Sequence, residues 1–531
     1  MPNDLLICCA SLLFTVACSG ASNAGTTQAT GSGGSTSGTA SGGGPSGGTG
    51  GGSRGGDSSG GLLGANSGGA GANGPGHDAG EPARGGAGGH GTRDGAVDAG
   101  SSLDAASPIP PFDPPTCGPP IAGFSGALCG PANNACRVLA DEVVDAASAF
   151  RNRAPAIAAD PAGRAHLLYY VAVGGYSGFY GTRADTGVWS KEPFPKPVAD
   201  GNLVIGPDGS PVALVNDGTI PGTSLWKRGA LGWARLDGND LNGYEAYQQQ
   251  SLIATSDGCF NAAFVDANSY PAYGLWNGHW NLSSLGYSSR GGMAPGIALD
   301  AAGDVNLAAW KYDASAAGSV EWLRRSMPAE PVDVPNGIGD VTQTFITVAS
   351  SGETSAPAVL YRGLPRSNAD PMTLSNLIEA RRLPGGGWDH QIIASSTGLT
   401  SSGCGQATPT SPDCNVDFTD VAPVGIVSSG DGSVRTFFTT THQTARLVAS
   451  CMQLPGGNCT FNRVSGKSDA QLEMAWRNAD GSVGRSVIAR ASPSDDGGIA
   501  ASVTTDVQGR IHAGWFDGHS SSTVRYLLLG P

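Results

Sequence analysis

A short phrase returns along this chain at an almost fixed interval. An apolar strand runs into an Asp/Gly turn, and a second strand follows that ends in aromatic residues and, in several copies, a carboxylate. The first copy reads Ala156-Ile157-Ala158-Ala159-Asp160-Pro161-Ala162-Gly163 and continues into His166-Leu167-Leu168-Tyr169-Tyr170. Later copies turn at Asp208-Gly209, Asp257-Gly258, Ala302-Gly303, Ser351-Gly352, Asp431-Gly432 and Gln508-Gly509. Gly163, Gly209, Gly258, Gly303 and Gly352 stand 46, 49, 45 and 49 residues apart. A unit of that size, built from strand pairs, cannot bury its apolar face alone and must pack against its neighbours. Sheets repeated radially meet that need, so the expected fold is all-β: a β-propeller of about seven four-stranded blades.

The interior of each repeat supports four strands, A to D. In the first they fall at 156–158, 166–171, 178–183 and 189–194, with Asp-Pro-Ala-Gly between A and B and Ala184-Asp185-Thr186-Gly187 between C and D. Both tetrapeptides are turn formers. The fourth repeat follows the same plan, and the fifth repeats the C–D hairpin with a Pro384-Gly385-Gly386-Gly387 turn before Trp388. The last repeat stops after its third strand, near Leu529. Residues 137–144, a short segment upstream of the first repeat, are the expected closing strand, which would remove a bare sheet edge. An ordinary linker strand is the competing reading. From about Arg151 to Pro531 these copies resemble a propeller repeat family common in bacterial secreted proteins: an apolar strand, Asp-x-x-Gly, an aromatic-rich strand and a Trp-led outer strand. That resemblance implies the fold. The family is functionally mixed, so it implies little about activity.

Upstream the composition changes. From about Gly20 to Pro108 about three residues in four are Gly, Ser, Ala or Thr, and there is no Phe, Tyr or Trp. Such a stretch buries too little apolar surface to offset its ordering entropy. It reads as a flexible tether spanning on the order of 50 Å. The apolar run Leu5 to Val16 fits a signal-peptide core and is too short to span a bilayer. It ends in Thr15-Val16-Ala17-Cys18-Ser19, which resembles a bacterial lipobox. The resemblance implies a lipidated Cys18 and an outer-membrane lipoprotein; cleavage near Ala17 and secretion is the alternative. The expected organisation is therefore a signal peptide at 1–17, a lipidated cysteine and linker at 18–116, and the propeller domain at 117–531.

Eight cysteines follow Cys18, an even number that argues for disulfides in an exported chain. Cys404 with Cys414, and Cys451 with Cys459, are near enough to clamp single loops. Cys117, Cys129, Cys136 and Cys259 form the remaining pairs in an order the sequence leaves open. No Cys-x-x-Cys pair occurs and the histidines are scattered, so no metal and no cofactor is expected. The formal charge is −14 with no Lys/Arg run, which argues against a nucleic-acid partner.

Two sets of residues are candidates for a site. Strand B ends deliver Tyr170, Asp217, Asp266, Asp313, Arg362, His442 and Asp517 to one face, where the carboxylates either grip a ligand or cap their own turns. On the same face three neighbouring connections lengthen, at 363–376, 397–420 and 442–470. They carry Arg366, Asp370, His442, Arg446, Arg463 and Lys467. Long loops on a rigid scaffold are where binding usually resides. The strand-B aromatics, the Trp residues that open outer strands, and His166 and His512 are expected to be structural. Sialidase-type boxes and hydrolase elbows are absent, which favours binding of an extracellular glycan or protein over catalysis. A polysaccharide hydrolase or lyase, and a scaffold for an envelope complex, are the alternatives.

Overall fold

The computed structural model describes residues 112–531 apart from 130–135, 147–153, 173–175, 199, 217–221, 239–240, 242, 246–250, 267, 269, 286–294, 312–318, 334–343, 352–353, 364–372, 401–413, 452–458, 479, 493–497 and 519–522. Regular structure among these residues is entirely β. Strand β1 (Arg137–Asp145) comes first. An antiparallel sheet follows in chain order: β2 (Ala156–Ala159), β3 (Ala165–Ala172), β4 (Tyr176–Arg183) and β5 (Trp189–Pro193). The second comprises β6 (Asp200–Ile205), β7 (Pro211–Asn216), β8 (Thr223–Gly229) and β9 (Gly232–Arg235). In the third, β10 (Tyr244–Glu245) and β11 (Leu252–Ala254) both pair with β12 (Phe260–Asp266), followed by β13 (Pro271–Trp276) and β14 (Trp280–Ser284). The fourth holds β15 (Gly296–Leu299), β16 (Val305–Lys311), β17 (Ser319–Arg324) and β18 (Glu330–Asp333). Two further repeats merge into one eight-stranded sheet: β19 (Thr344–Ser351), β20 (Thr354–Gly363), β21 (Thr373–Arg382), β22 (Trp388–Thr400), β23 (Cys414–Ser428), β24 (Val434–Cys451), β25 (Cys459–Arg477) and β26 (Val483–Arg490). The last sheet contains β27 (Ile499–Thr505), β28 (Ile511–Asp517) and β29 (Thr523–Gly530), and β1 completes it outside β29.

The architecture is propeller-like. The first strand of each repeat lies against that of the next: β2 on β6, β6 on β11, β11 on β15, β15 on β19, β19 on β23, β23 on β27, and β27 again on β2. The segment expected at 137–144 to supply a strand does so, running antiparallel to β29 from Arg137↔Gly530 to Asp145↔Val524.

The repeated turn explains the repeated glycine. In the first copy Gly163 donates its N–H to the Asp160 carbonyl at 2.7 Å with φ +78°, and in the last Gly509 donates to the Asp506 carbonyl at 3.1 Å with φ +75°. A Cβ is strained in that left-handed region. The second strands then place Tyr169, Tyr170, Trp310, Phe437, Phe438, Trp515 and Phe516 in the core, each at most 5% exposed. Outer-strand tryptophans lie on the preceding sheet. Trp189 meets Tyr526 at 5.2 Å, Trp233 meets Tyr180 at 5.2 Å and Trp388 meets Trp322 at 5.9 Å, all near edge-to-face.

The expectation of long irregular loops in the fifth and sixth repeats is corrected where the chain is described. The described parts of 397–420 and 442–470 are strand: β22, β23, β24 and β25 continue as one ladder. Thr439-Thr440-Thr441, Val416 and Val421 are β-branched residues suited to a pleated surface.

Residues 112–129 run across the opposite end of the structure, over the A–B turns. Phe112 packs edge-on against Tyr273, and Asp113 pairs with Arg325 at 3.1 Å. Gly118 N donates to Asp257 at 2.7 Å, and Ser256 N to the Pro119 carbonyl at 2.9 Å. Gly430 N donates to the Phe124 carbonyl at 2.8 Å, and the Phe124 ring sits so close to Gly509 that a Cβ there would lie 2.4 Å from it. Two disulfides fix this strap, Cys117–Cys259 with Cα atoms 6.3 Å apart and Cys129–Cys136 at 4.8 Å.

Candidate functional site

The end of the structure opposite the strap carries its largest departure from regularity. The second strand β24 is 18 residues long, against six to ten for the other second strands β3, β7, β12, β16, β20 and β28, and its partner β25 has 19. About ten extra residues carry this hairpin roughly 33 Å beyond its neighbours. β22 and β23 join it through Thr397↔Thr419 to Thr400↔Val416, producing a projecting sheet.

The register decides which side chains share a face. Thr419 pairs with His442 and His442 with Asp469; Asp417 pairs with Thr444 and Thr444 with Lys467; Asn415 pairs with Arg446 and Arg446 with Ser465. Directly opposed residues lie on the same side of a sheet, and residues two apart follow them. Thr419, His442 and Asp469, then Asp417, Thr444 and Lys467, then Asn415, Arg446 and Ser465 thus form three polar rows on one face. Asn415, Asp417, His442, Arg446, Ser465, Lys467 and Asp469 are exposed. The alternate positions Val416, Ser468 and Ala470 are buried and turn the other face toward the protein.

Within these rows His442 Nε2 lies 2.8 Å from Asp417 Oδ1, and both side chains are about half exposed. A carboxylate holding one ring nitrogen fixes the imidazole's orientation and leaves the other nitrogen outward. The base of the sheet is locked more firmly. Arg362 Nη2 donates to Asp420 Oδ1 at 2.6 Å and its Nε to Ser375 Oγ at 2.8 Å. Ser375 Oγ donates to Ser396 Oγ at 2.9 Å, and Ser396 Oγ to Asp420 Oδ1 at 3.0 Å. One mostly buried network therefore joins β20, β21, β22 and β23 where the projection begins.

Of the candidate site residues, the structure brings His442, Arg446 and Lys467 together on the projecting face. Arg463 lies in β25 opposite Leu447, and only its backbone is described. Asp266 is occupied by its own turn, accepting from Asn268 N at 2.9 Å and Tyr270 N at 2.8 Å. Asp517 is buried and accepts from Ser492 N at 2.6 Å and Ser492 Oγ at 3.1 Å. Asp266 thus caps its own turn, whereas Asp517 ties down the connection before β27 and faces Arg525 at 3.4 Å. Arg366, Asp370, Asp217, Asp313, Cys404 and Cys18 lie outside the described residues. Cys414 opens β23, and Cys451 stands directly opposite Cys459 in the ladder, with backbone alone described. Sequence reasoning missed Asp417, Thr444, Ser465 and Asp469. Their signal was the alternation of polar residues across three segments that had to be paired before it had meaning. Among the described residues the group of metal-capable side chains in close contact is Cys117, Asp257 and Cys259, and its two sulfurs are bonded to each other.

Two histidines are structural. His512 Nε2 lies 3.0 Å from Asp506 Oδ2 and its Nδ1 lies 2.8 Å from the Tyr526 hydroxyl. His166 repeats the arrangement with Asp160 at 3.5 Å and Tyr180 at 2.5 Å. The shared sequence is Asp-x-x-Gly-Arg-x-His with a tyrosine 14 residues on. Burial holds both imidazoles below their ordinary value despite the facing carboxylates. The unfolded chain then binds more protons than the folded one below about pH 6.5. Stability is at its full value above that pH and falls as pH drops toward the depressed native values. Thermal melts from pH 8 to pH 5 should show this decline, and His512→Gln should flatten it. Parallel profiles for the two proteins would remove the histidine from the account.

No protein-family model matches the chain, and no curated protein sequence does. Solved structures with a similar course include a protein of unknown function from Dyadobacter fermentans, at 13% identity and TM-score 0.37, covering 75% of this chain and 100% of that one. An ulvan lyase from a new family of polysaccharide lyases, bound to a glucuronic acid–sulfated rhamnose unit, matches at 9% identity and TM-score 0.43, covering 74% and 95%. A variant of the Aleuria aurantia lectin in complex with a fucosyl-GlcNAc matches at 13% identity and TM-score 0.33, covering 58% and 94%.

Proposed function

We propose that this chain is a surface-anchored binding protein. Its repeats close into a seven-bladed propeller, and the exposed face of the projecting sheet captures an extracellular glycan. Cys18 carries lipid in the outer membrane, and the Gly/Ser-rich segment up to residue 116 holds the propeller away from the bilayer. The observation that carries the reading is the single face on which Asn415, Asp417, His442, Thr444, Arg446, Ser465 and Lys467 meet. Closely spaced hydroxyl, amide and charged groups suit the many polar groups of a saccharide, and a sheet holds them with little motion to lose on binding. The opposition of Cys451 and Cys459 supports a clamp near the tip that lowers that cost further. Arg366, Asp370, Arg463 and the Cys404–Cys414 pair belong to the neighbouring connections and would complete the surface, with Asp217, Asp266, Asp313 and Asp517 as the next place to look.

The enzymatic reading, a polysaccharide lyase or hydrolase, draws on one contact, the imidazole of His442 oriented by Asp417. An oriented imidazole on an exposed face is a competent base.

Whole cells displaying the protein should retain fluorescent glycans from an array-derived panel. Cys18→Ala should transfer that capture from cells to medium, and the paired change Cys451→Ser with Cys459→Ser should weaken it in both. Capture unaffected by the double serine change would place binding away from the projecting sheet. Shortening of the retained glycan, lost in His442→Ala, would turn the reading to catalysis.

A further inference from the structure

Acidic residues outnumber basic ones along the chain, 44 to 30. Residues 442–470 reverse that balance, with Arg446, Arg463 and Lys467 against the single carboxyl of Asp469. The ladder concentrates the reversal. Arg446 pairs with Ser465 and Thr444 with Lys467, so the two cations stand diagonally across β24 and β25. As diagonal neighbours they stand roughly 7–8 Å apart, their Cβ atoms somewhat closer. Thr444 and Ser465 complete the square between them, and Asn415 flanks Arg446. Asp417 of β23 shares the face and is bonded to His442. Asp469 stands one row toward the base.

A second property of this face narrows the ligand. Its described residues include no aromatic ring, because Phe418 occupies an alternate position between Asp417 and Thr419 and belongs to the other side. Aromatic rings supply much of the apolar contact in ligand sites. Without one, recognition falls to hydrogen bonds and charge, and bonds between ionised partners are shorter and about twice as strong as neutral ones. An otherwise acidic protein repels anions at long range, so a local basic patch selects where an anion lands.

From this we infer that the ligand is an anionic saccharide, its carboxylate or sulfate groups held by Arg446 and Lys467 and its hydroxyls by Thr444, Ser465 and Asn415. The inference rests on the glycan-binding reading above. The test uses the full mature chain in affinity electrophoresis through polygalacturonate, dextran sulfate and neutral dextran. Retardation is expected in an anionic gel, strongest for whichever of carboxylate or sulfate fits, and it should fade as salt rises to about 0.5 M. Lys467→Glu and Arg446→Glu should each weaken retention about tenfold. Lys467→Arg should preserve it, and matching melting curves would show that each variant folds. Retention by neutral dextran that survives both charge reversals would overturn the anionic inference and keep the glycan reading. Migration unaffected by all three polysaccharides would end both. Anionic retention unchanged in Lys467→Glu and Arg446→Glu would also overturn the inference, since the charge would act elsewhere.

Discussion

Deletion of residues 137–145 lowers the melting temperature by roughly 10 °C or more, or removes the cooperative transition altogether. β1 is sequence-distant from everything it touches, yet it completes the last sheet along its whole length. It also reaches the first sheet: Arg183 pairs with Glu142 at 2.6 Å, Trp189 Nε1 donates to Glu142 at 2.9 Å and the Tyr169 hydroxyl donates to Asp145 at 2.8 Å. On its other side Arg525 pairs with Asp141 at 2.7 Å. Removing the strand bares the edge of β29 and cuts the ties between the last repeat and the first. With net contributions of about 1 kcal/mol per hydrogen bond, the ladder and these pairs sum to on the order of 5–10 kcal/mol. That is comparable to the whole stability of an ordinary domain. Calorimetry of the truncated protein decides the matter, and a transition at the wild-type temperature would show that β1 is dispensable.

Glu379→Ala should cost about 3–5 kcal/mol in denaturant unfolding. Glu379 is fully buried between the fifth and sixth repeats. Its Oε1 lies 2.6 Å from Arg381 Nε and 2.8 Å from Arg477 Nε, and its Oε2 accepts from Thr436 Oγ1 at 2.5 Å. Arg477 is itself only 9% exposed and also pairs with Asp389 at 2.6 Å. Loss of the carboxylate leaves the mostly buried Arg477 guanidinium with the exposed Asp389 as its remaining partner in this network, so much of the penalty is that of a buried charge only partly compensated. Adding Arg477→Met to Glu379→Ala should recover part of the loss. A single-mutant cost below about 1 kcal/mol would mean the two arginines find other partners.

The repeats were legible because two signals recur along the chain: a glycine in every first turn, preceded by an Asp-x-x at Asp160, Asp300 and Asp506, and a tryptophan at the start of the outer strand at Trp189, Trp233, Trp280 and Trp388. Gly163 and Gly509 needed positive φ, and Trp189, Trp233 and Trp388 needed an aromatic neighbour one sheet back; both demands show in the sequence. β1 was legible because the last repeat ends one strand short and this segment stands ready upstream of the first. The projecting sheet was not. Residues 439–446 are polar at nearly every position, so the contrast that marks a half-buried strand is missing, and the segment imitates a loop. Asp417 was hidden for a related reason, since its partner His442 is 25 residues away and the pairing exists only once β23 and β24 are in register. The strap was hidden as well: residues 112–129 have no period, and their contacts are a scatter of single bonds to distant turns.

The covalent route through the molecule differs from the order of the chain. Cys117 is bonded to Cys259, 142 residues downstream, so β1 and the first two sheets sit on a closed side loop. A pull arriving from upstream of Phe112 crosses that bridge directly into the third sheet. β1, paired with β29 at the outer edge of the last sheet, lies on that side loop and is bypassed while the bridge is intact. Opening Cys117–Cys259 alone reroutes the same pull through Cys129–Cys136 and then into Arg137, the first rung of that ladder. Oxidation at Cys117 thus sets whether tension arriving from upstream is resisted by a covalent bond or unzips the closing strand one pair at a time.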